Sequence, residues 1–501
     1  MNIEEMARFC KEKGFVYADS ELYGGLAGFW DFGPLGVELK NNLKAAWWKR
    51  FVKNREDVLG MDGSIITHKK IWESSGHVSC FADLMIHCKE CKNKFRADHF
   101  LEDKLGGSYD GIKAEEVNAL IKENKLSCDC NGEFAEVANF NLMFQTHVGP
   151  NQDKGNIAYL RPETAQLMFA DFMLIYETAR AKLPFGIAQQ GKMFRNEISP
   201  RDFLFRSREF EAMELEFFVH PDKTEECPFY DEIKDVTFQL LSVKDQEGKK
   251  EHSTVTFGDL VTMKVCTQWH AYWLAKCYLW FVDLGVRAEN LRIREHLPNE
   301  LAHYAGACLD IEYKFPFGWK EICGNADRKQ YDLTQHGNAS GKEISIYDDE
   351  SKQKVIPYVA SEPAFGVERA FLTFLFDAYN DDTERGNAVL KLHHSLVPIQ
   401  VCVFPLVNKL YDDARSVFDS IKEDFVCFFD KSGSVGRRYA RADERGVPIC
   451  ITVDFESRED KAVTLRNRDT AEQVRVPIAE LSVKISAFFK GEEFSSLGKK
   501  V

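Results

Sequence analysis

Apolar residues recur at helical spacing in several separated stretches of the chain and alternate with polar ones in others. Near the N-terminus this pattern predicts a helix over Glu4–Lys13, a loop rich in glycine and aromatic residues, a second helix from Val37 to Val52, and strands over Val58–Thr67. A further helical stretch falls at Lys113–Asn124 among Gly/Asp-rich turns. Over 163–182, Leu167, Phe169, Phe172, Leu174 and Ile175 keep helical spacing behind Pro162, a residue suited to a helix start. Residues 221–300 read as an insertion, mostly helical in its second half, where Trp269, Trp273, Leu274, Leu279 and Trp280 recur as core packing. Strands resume at Leu309–Phe315 and Trp319–Cys323. The polar run Asn380–Gly386 carries a turn signal and places a linker over 381–396. Beyond it the order is strand (Gln400–Phe404), helix (Val407–Ile421), strand (Val426–Phe429), helix (Gly436–Arg445) and strand (Pro448–Val453). Two strand-like runs and a helix follow, so 397–501 is expected to be a small α/β domain.

Bulk properties narrow the function classes. A chain of 501 residues suggests two to four domains, each able to bury its own core. Apolar runs fall short of a membrane span, and the opening Met1–Glu5 lacks a basic region before an apolar core, so a cytoplasmic location is expected. In that setting the 14 cysteines read as reduced thiols rather than a disulfide framework. The net charge of −14 argues against a protein that coats nucleic acid indiscriminately, while leaving room for a local basic surface.

The chemistry gathers in three islands. Phe194-Arg195-Asn196-Glu197 is followed after a short loop by Arg206-Ser207-Arg208-Glu209-Phe210-Glu211-Ala212-Met213-Glu214. On a strand, residues two apart share a face, so Arg195 and Glu197 point into one pocket, and Phe210, Glu214 and Glu216 line the returning strand. An arginine fork grips phosphate and an aromatic face stacks on a purine. The second island, Glu362-Pro363-Ala364-Phe365-Gly366-Val367-Glu368-Arg369, ends at a predicted strand-to-helix junction; the third, Gly33-Pro34-Leu35-Gly36, opens a helix.

These islands resemble motifs 2, 3 and 1 of the class II aminoacyl-tRNA synthetases. Longer stretches, among them Asp31–Gly36, Phe95–His99, Asn139–Phe144, Arg161–Gln166 and Gly324–Arg328, resemble the homodimeric, single-polypeptide glycyl-tRNA synthetases. The resemblance implies an α+β catalytic core, an antiparallel sheet flanked by helices, over 1–79 and 156–380. It also implies an inserted cysteine-containing subdomain over 80–155 and a C-terminal α/β anticodon-binding domain over 397–501. The implied activity is ATP-dependent attachment of glycine to tRNA(Gly) through a glycyl-adenylate. The attacking carboxylate is already ionised, so the protein's work is positioning and charge neutralisation rather than base catalysis.

The same resemblance implies the site. Arg195, Arg369 and Glu321 would be catalytic: Arg195 bridging the substrate carboxylate and α-phosphate, Glu321 helping to hold Mg²⁺. ATP would contact Arg195, Asn196, Glu197, Phe205, Arg206, Ser207, Arg208, Glu209 and Phe210, then Glu321, Ile322, Gly366, Val367, Glu368 and Arg369. Glycine would lie among Arg96, Glu163, Phe210, Glu211, Ala212, Met213 and Glu214, with Glu362, Pro363, Ala364, Phe365 and Gly366. Ala364 departs from the serine usual at that place in the family and removes a hydroxyl from the pocket floor. The smallest amino acid is selected by filling the space a methyl would need, which makes an editing domain unnecessary.

Cys88-x-x-Cys91 and Cys128-x-Cys130 suit one structural zinc ion, although the second pair has one residue between where the family more often has two. Arg437, Arg438, Arg441 and Arg445 keep helical spacing and are read as contacts to RNA phosphates, with Phe428 or Phe429 as a base-stacking ring. A relative charging another amino acid and a non-catalytic nucleic-acid-binding subunit are the competing readings. The acid-rich glycine motifs and the retained Arg195, Arg206 and Arg369 argue against them.

Overall fold

The computed structural model describes residues 1–107, 109, 111–151, 154–302 and 305–501. At its centre is a nine-stranded sheet, whose strands are numbered here in chain order. They are β1 (Val58–Met61), β2 (Phe185–Phe194), β3 (Glu209–Val219), β4 (Thr237–Leu241), β5 (Ser253–Thr256), β6 (Leu291–Glu295), β7 (Ala307–Phe315), β8 (Gly318–Asp327) and β9 (Tyr358–Gly366). Across the sheet they run β5-β4-β6-β7-β8-β9-β3-β2-β1. Pairing is antiparallel except for β1 with β2 and β4 with β6, so the sheet is mixed toward its two ends.

The two faces of this sheet differ because its strands alternate. On β3, Met213, Leu215 and Phe217 face helices and join the largest apolar core with Trp47, Trp269, Trp273, Trp280 and Phe365. The helices on that side are Pro34–Trp48, Gln268–Asp283 and Val367–Ala378. Each fully buried aromatic there contributes about 2–3 kcal/mol by removal from water. The first of these helices comes close to the chain before it: a Cβ at Gly36 would stand 1.8 Å from the Phe15 carbonyl oxygen, so any larger residue would force the helix away. The helix expected over Val37–Val52 continues past Trp48 as a π turn, Lys49–Lys53.

Three sequence expectations are corrected. The stretch 163–182 forms two short helices, Ala165–Ala170 and Phe172–Ala179, broken at Asp171 rather than one continuous helix. Residues 221–300 do contain the tryptophan helix, but they also supply β4, β5 and β6, so this segment extends the central sheet instead of standing apart from it. The stretch read as a linker is a β-hairpin, Tyr379–Asp382 paired with Asn387–Leu390. Arg385 at its turn donates to the Arg468 carbonyl and meets Asp443, tying the hairpin to the residues that follow.

In the chain between β1 and β2, Ala82–His87, Lys94–Arg96 and Ala138–Asn141 form a three-stranded sheet of their own, packed on Ala97–Leu105 and Ala114–Glu123. The C-terminal residues build a six-stranded sheet with a separate core of Val401, Val403, Ile449, Ile451, Leu465 and their neighbours. Parallel pairing of Val401–Pro405 with Cys427–Phe429 and with Ile449–Val453 puts the helices Tyr411–Ile421 and Val435–Glu444 in the crossovers.

Candidate active site

The face of the central sheet opposite the helices opens into a cavity of about 350 Å³. Its floor is built from even-numbered positions: Phe210, Ala212 and Glu214 on β3, with Ala364 and Gly366 on β9. Arg195 and Glu197, just past the end of β2, and Leu204–Ser207 form one wall; Glu321 and Arg369 form another. The third wall is delivered by the small three-stranded sheet, through Phe81, Asp83 and Arg96.

Two of the three arginines, Arg195 and Arg206, have no carboxylate partner within ion-pair distance among the described residues, whereas Arg369 has one. Arg195 donates to the Pro162 carbonyl and lies 5.5 Å from both the Phe81 and Phe210 ring centres. Arg206 contacts the His99 ring at 3.1 Å, and burial lowers its pKa. Arg369 rests 4.5 Å over the Phe205 ring and pairs with Glu321 at 3.0 Å. A side chain at Gly366 would press on Arg369, its Cβ lying 3.3 Å from the arginine Cδ. Burial pushes the Glu321 carboxyl up, but Arg369 outweighs this and keeps it below its ordinary range. An ionised, accessible carboxylate suits a hard, oxygen-seeking Mg²⁺ that keeps most of its waters.

Behind Glu214 the cavity gives way to a buried acid network. Glu214 accepts from the backbone N–H and hydroxyl of Thr164. Glu163 accepts from Gln166 and lies 3.2 Å from His77. Glu362 is gripped through both oxygens by Arg328 at 2.8 and 2.9 Å, and Arg328 also holds Asp332. Burial raises Glu362 to about 7 against the pull of Arg328, with Glu163 and Glu214 adding to the rise. Burial and Glu163 likewise raise Glu214, whereas His77 and Arg328 overcome burial and lower Glu163. Glu216, opposite this pair, is fully buried with neither oxygen hydrogen-bonded.

Not all the expected residues meet in the cavity. Glu211 and Met213 turn to the helical side: Glu211 pairs with Lys40 at 2.5 Å and with Lys44, and Met213 is core. Strand alternation separates them from Glu214, which the contiguous sequence run concealed. Glu209 pairs with Lys192. Arg208 fixes the carbonyls of Glu197 and Ala27, and Asn196 bonds through its backbone to Leu142. Ile322, Val367 and the Phe365 ring belong to the core, although Phe365 also borders the cavity. Pro363 pairs with Asn325 in the sheet, outside the cavity lining. Glu368 borders the cavity while its carboxylate accepts from the Glu211 N–H. The lining from Phe81, Asp83 and Met193 carries no motif spacing, and neither do His77 and Asp332, partners of the acids; Leu142 and Arg328 lie within the resembling stretches Asn139–Phe144 and Gly324–Arg328 but have no role assigned by sequence.

Two distant groups of residues complete the picture. The Cys88, Cys91, Cys128 and Cys130 sulfurs lie within 4.8 Å of one another, with Cys88–Cys130 and Cys91–Cys128 at 3.5 Å. Tetrahedral zinc with Zn–S bonds of about 2.3 Å needs sulfurs about 3.8 Å apart, so the four thiols fit such an ion despite the short second spacing. In the C-terminal sheet region, Arg438 is buried and donates to the Pro405, Leu406 and Gly433 carbonyls, while Arg441 pairs with Asp430. Arg438 is therefore a structural residue, not a free phosphate contact. Arg445 lies 5.2 Å from the ring of the exposed Phe428, and the Phe429 ring packs edge-on against Tyr411 and Phe418.

Among the described residues, no helix is long and apolar enough to cross a membrane. Residues 144–378 match the model for the tRNA synthetase class II core domain (G, H, P, S and T), and 400–488 match the anticodon binding domain. The chain is 43% identical to a glycine–tRNA ligase of Caldanaerobacter subterraneus subsp. tengcongensis, over 96% of this chain and 97% of that protein. It is 44% identical to that of Geobacillus thermodenitrificans, over 96% of each. Identity to the enzyme of Lachnospira eligens is 42%, over 97% of this chain and 99% of that one. In fold it resembles a prolyl-tRNA synthetase from Cryptosporidium parvum, with a TM-score of 0.57 at 13% identity over 97% of this chain and 76% of that one. The chain belongs to the glycine–tRNA ligase family of class II aminoacyl-tRNA synthetases.

Proposed function

We propose that the protein joins glycine to tRNA(Gly) in two steps, forming glycyl-adenylate from ATP and then passing the glycyl group to the tRNA. The observation that best supports this reading is the convergence of Arg195, Arg206 and Arg369 with Glu197, Phe210, Glu214 and Glu321 around one cavity. In the first step the glycine carboxylate attacks the α-phosphate, and pyrophosphate leaves. Arg195 spans the carboxylate and α-phosphate, offsetting charge as the two anions meet. Arg206 and Arg369 hold the outer phosphates, Phe210 supports the purine, and Glu197 accepts from its amino group. Glu321 is the residue that would hold Mg²⁺, which neutralises phosphate charge when bound.

Glycine's ammonium is received at Glu214, with Glu163 and Glu362 behind it supplying negative potential. Ala212 and Ala364 line the floor beneath, so a substrate methyl meets side-chain carbon. Pyrophosphate exchange with each of the twenty amino acids tests the assignment. Glycine is expected to drive exchange; faster exchange with alanine or serine overturns it.

We assign the catalytic core to 1–79 and 156–380, an insertion to 80–155 and tRNA anticodon binding to 397–501, in a cytoplasmic enzyme. The four-cysteine cluster holds one structural zinc, and its paired replacement Cys91→Ser/Cys128→Ser should remove one zinc per chain by elemental analysis. The working enzyme is a homodimer, so light scattering at micromolar concentration should give twice the chain mass.

A further inference from the structure

On the same face of the sheet as the cavity, three residues of mixed ligand type converge. Cys308 and Asp310 stand two apart on β7 and so project from one face. His296 follows β6 directly, and its backbone N–H bonds to the Cys308 carbonyl, setting the ring over that face. The loop bearing His296 is clamped: Arg294 Nη2 donates to both oxygens of Glu300, which also accepts from the Leu297 N–H. The ligand atoms of His296, Cys308 and Asp310 all lie within 4.8 Å of one another. His296 Nε2 is 2.6 Å from Asp310 Oδ2, and Cys308 Sγ is 3.9 Å from Asp310 Oδ1.

We propose that His296, Cys308 and Asp310 form a metal site for a borderline-soft divalent ion of the zinc class, separate from the four-cysteine cluster. Imidazole, thiolate and carboxylate together favour zinc or cobalt, whereas magnesium is served by oxygen ligands alone. In a tetrahedral site with ligand bonds of about 2.0–2.3 Å, neighbouring ligand atoms lie about 3.3–3.8 Å apart. Small rotations of the three side chains reach that spacing. Binding expels the proton shared by His296 and Asp310 and the thiol proton of Cys308. Three protein ligands leave one position for water.

The location links this ion to the cavity. A Cβ placed on Gly324 would stand 3.6 Å from Asp310 Oδ1 and 3.5 Å from Glu321 Oε1, so the two carboxylates flank the same glycine. A filled site adds positive charge beside Glu321 and competes with Mg²⁺ for local negative potential.

The test is cobalt titration of the metal-free, full-length protein, read by the sulfur-to-cobalt charge-transfer band and by bound cobalt per chain. Cys308→Ala is expected to bind one cobalt fewer than the parent protein and to lose the corresponding part of the band. His296→Gln, which keeps the thiol, is expected to lose the same equivalent. Zinc should displace the cobalt, and excess magnesium should not. Thermal melting identifies any variant that fails to fold. Unchanged stoichiometry in folded Cys308→Ala or folded His296→Gln overturns the site.

Discussion

Arginines serve opposite purposes in the two sheets of this protein. In the cavity, Arg195 has one carbonyl and two ring faces as partners, and Arg206 has a histidine ring. In the C-terminal sheet, Arg466 forks onto both oxygens of Asp443 at 2.8 and 3.0 Å. Arg475 engages Asp454 and Asp460, while Arg468 is spread over Asp469 and the Gly446 and Leu392 carbonyls. Guanidinium groups already saturated by acids and carbonyls have few donors left for a ligand. Arg195 and Arg206, set against rings, keep theirs, and their positions are fixed without a paired carboxylate that a phosphate would have to displace; Arg369 stands between the two cases, over the Phe205 ring but paired with Glu321.

The contrast is broken most severely at its two extremes. Arg195→Ala is expected to reduce pyrophosphate exchange by about 10³-fold, the cost of removing a cation aimed at developing charge. Its urea midpoint should stay close to that of the parent protein. Arg466→Ala should do the reverse, because it leaves the buried Asp443 carboxylate with the longer Arg385 contact, at 3.4 Å, in place of a two-point grip, and lowers stability by about 3 kcal/mol. Urea denaturation followed by fluorescence measures this, while exchange activity at low urea stays near normal. If Arg466→Ala left stability intact and Arg195→Ala unfolded the protein, the division between held and available arginines would be wrong.

The same contrast shows which parts were legible in sequence. Period-two spacing puts Phe210 and Glu214 on one face, which is the cavity floor, and the cysteine spacing finds all four members of the thiol cluster. Among the arginines at 437–445, Arg438 is the one the structure removes from the proposed RNA surface, because helical spacing says nothing about what stands opposite: it faces the Pro405, Leu406 and Gly433 carbonyls. Glu211 leaves the site for the converse reason, since its odd separation of three from Glu214 puts the two on opposite faces of the strand. Phe81 and Asp83 were invisible, for their place in the wall depends on how a separate small sheet docks. The strands of 237–256 were hidden by the stronger tryptophan pattern downstream, although Phe238 and Leu240 alternate with polar residues.

The acids of the site, unlike its arginines, are kept ready by burial beside one another, and the smallest predicted effect comes from them. Burial, with the neighbouring Glu163 and Glu214, outweighs Arg328 and raises the Glu362 carboxyl to about 7. Its unfolded value is about 4.3, so between these limits the folded protein holds the extra proton. That contribution to stability is complete below the unfolded value and is lost as pH rises through 7. Glycine's ammonium reverses the preference, favouring the ionised carboxylate and expelling the proton on binding. The KM for glycine should therefore fall about tenfold from pH 6 to pH 8, while the urea midpoint of the ligand-free enzyme declines over the same interval. Glu362→Gln removes the titration and should flatten both profiles. A variant that kept the full pH dependence of glycine KM would move the coupling to Glu214 or Glu216, the other acids in this buried row that burial raises.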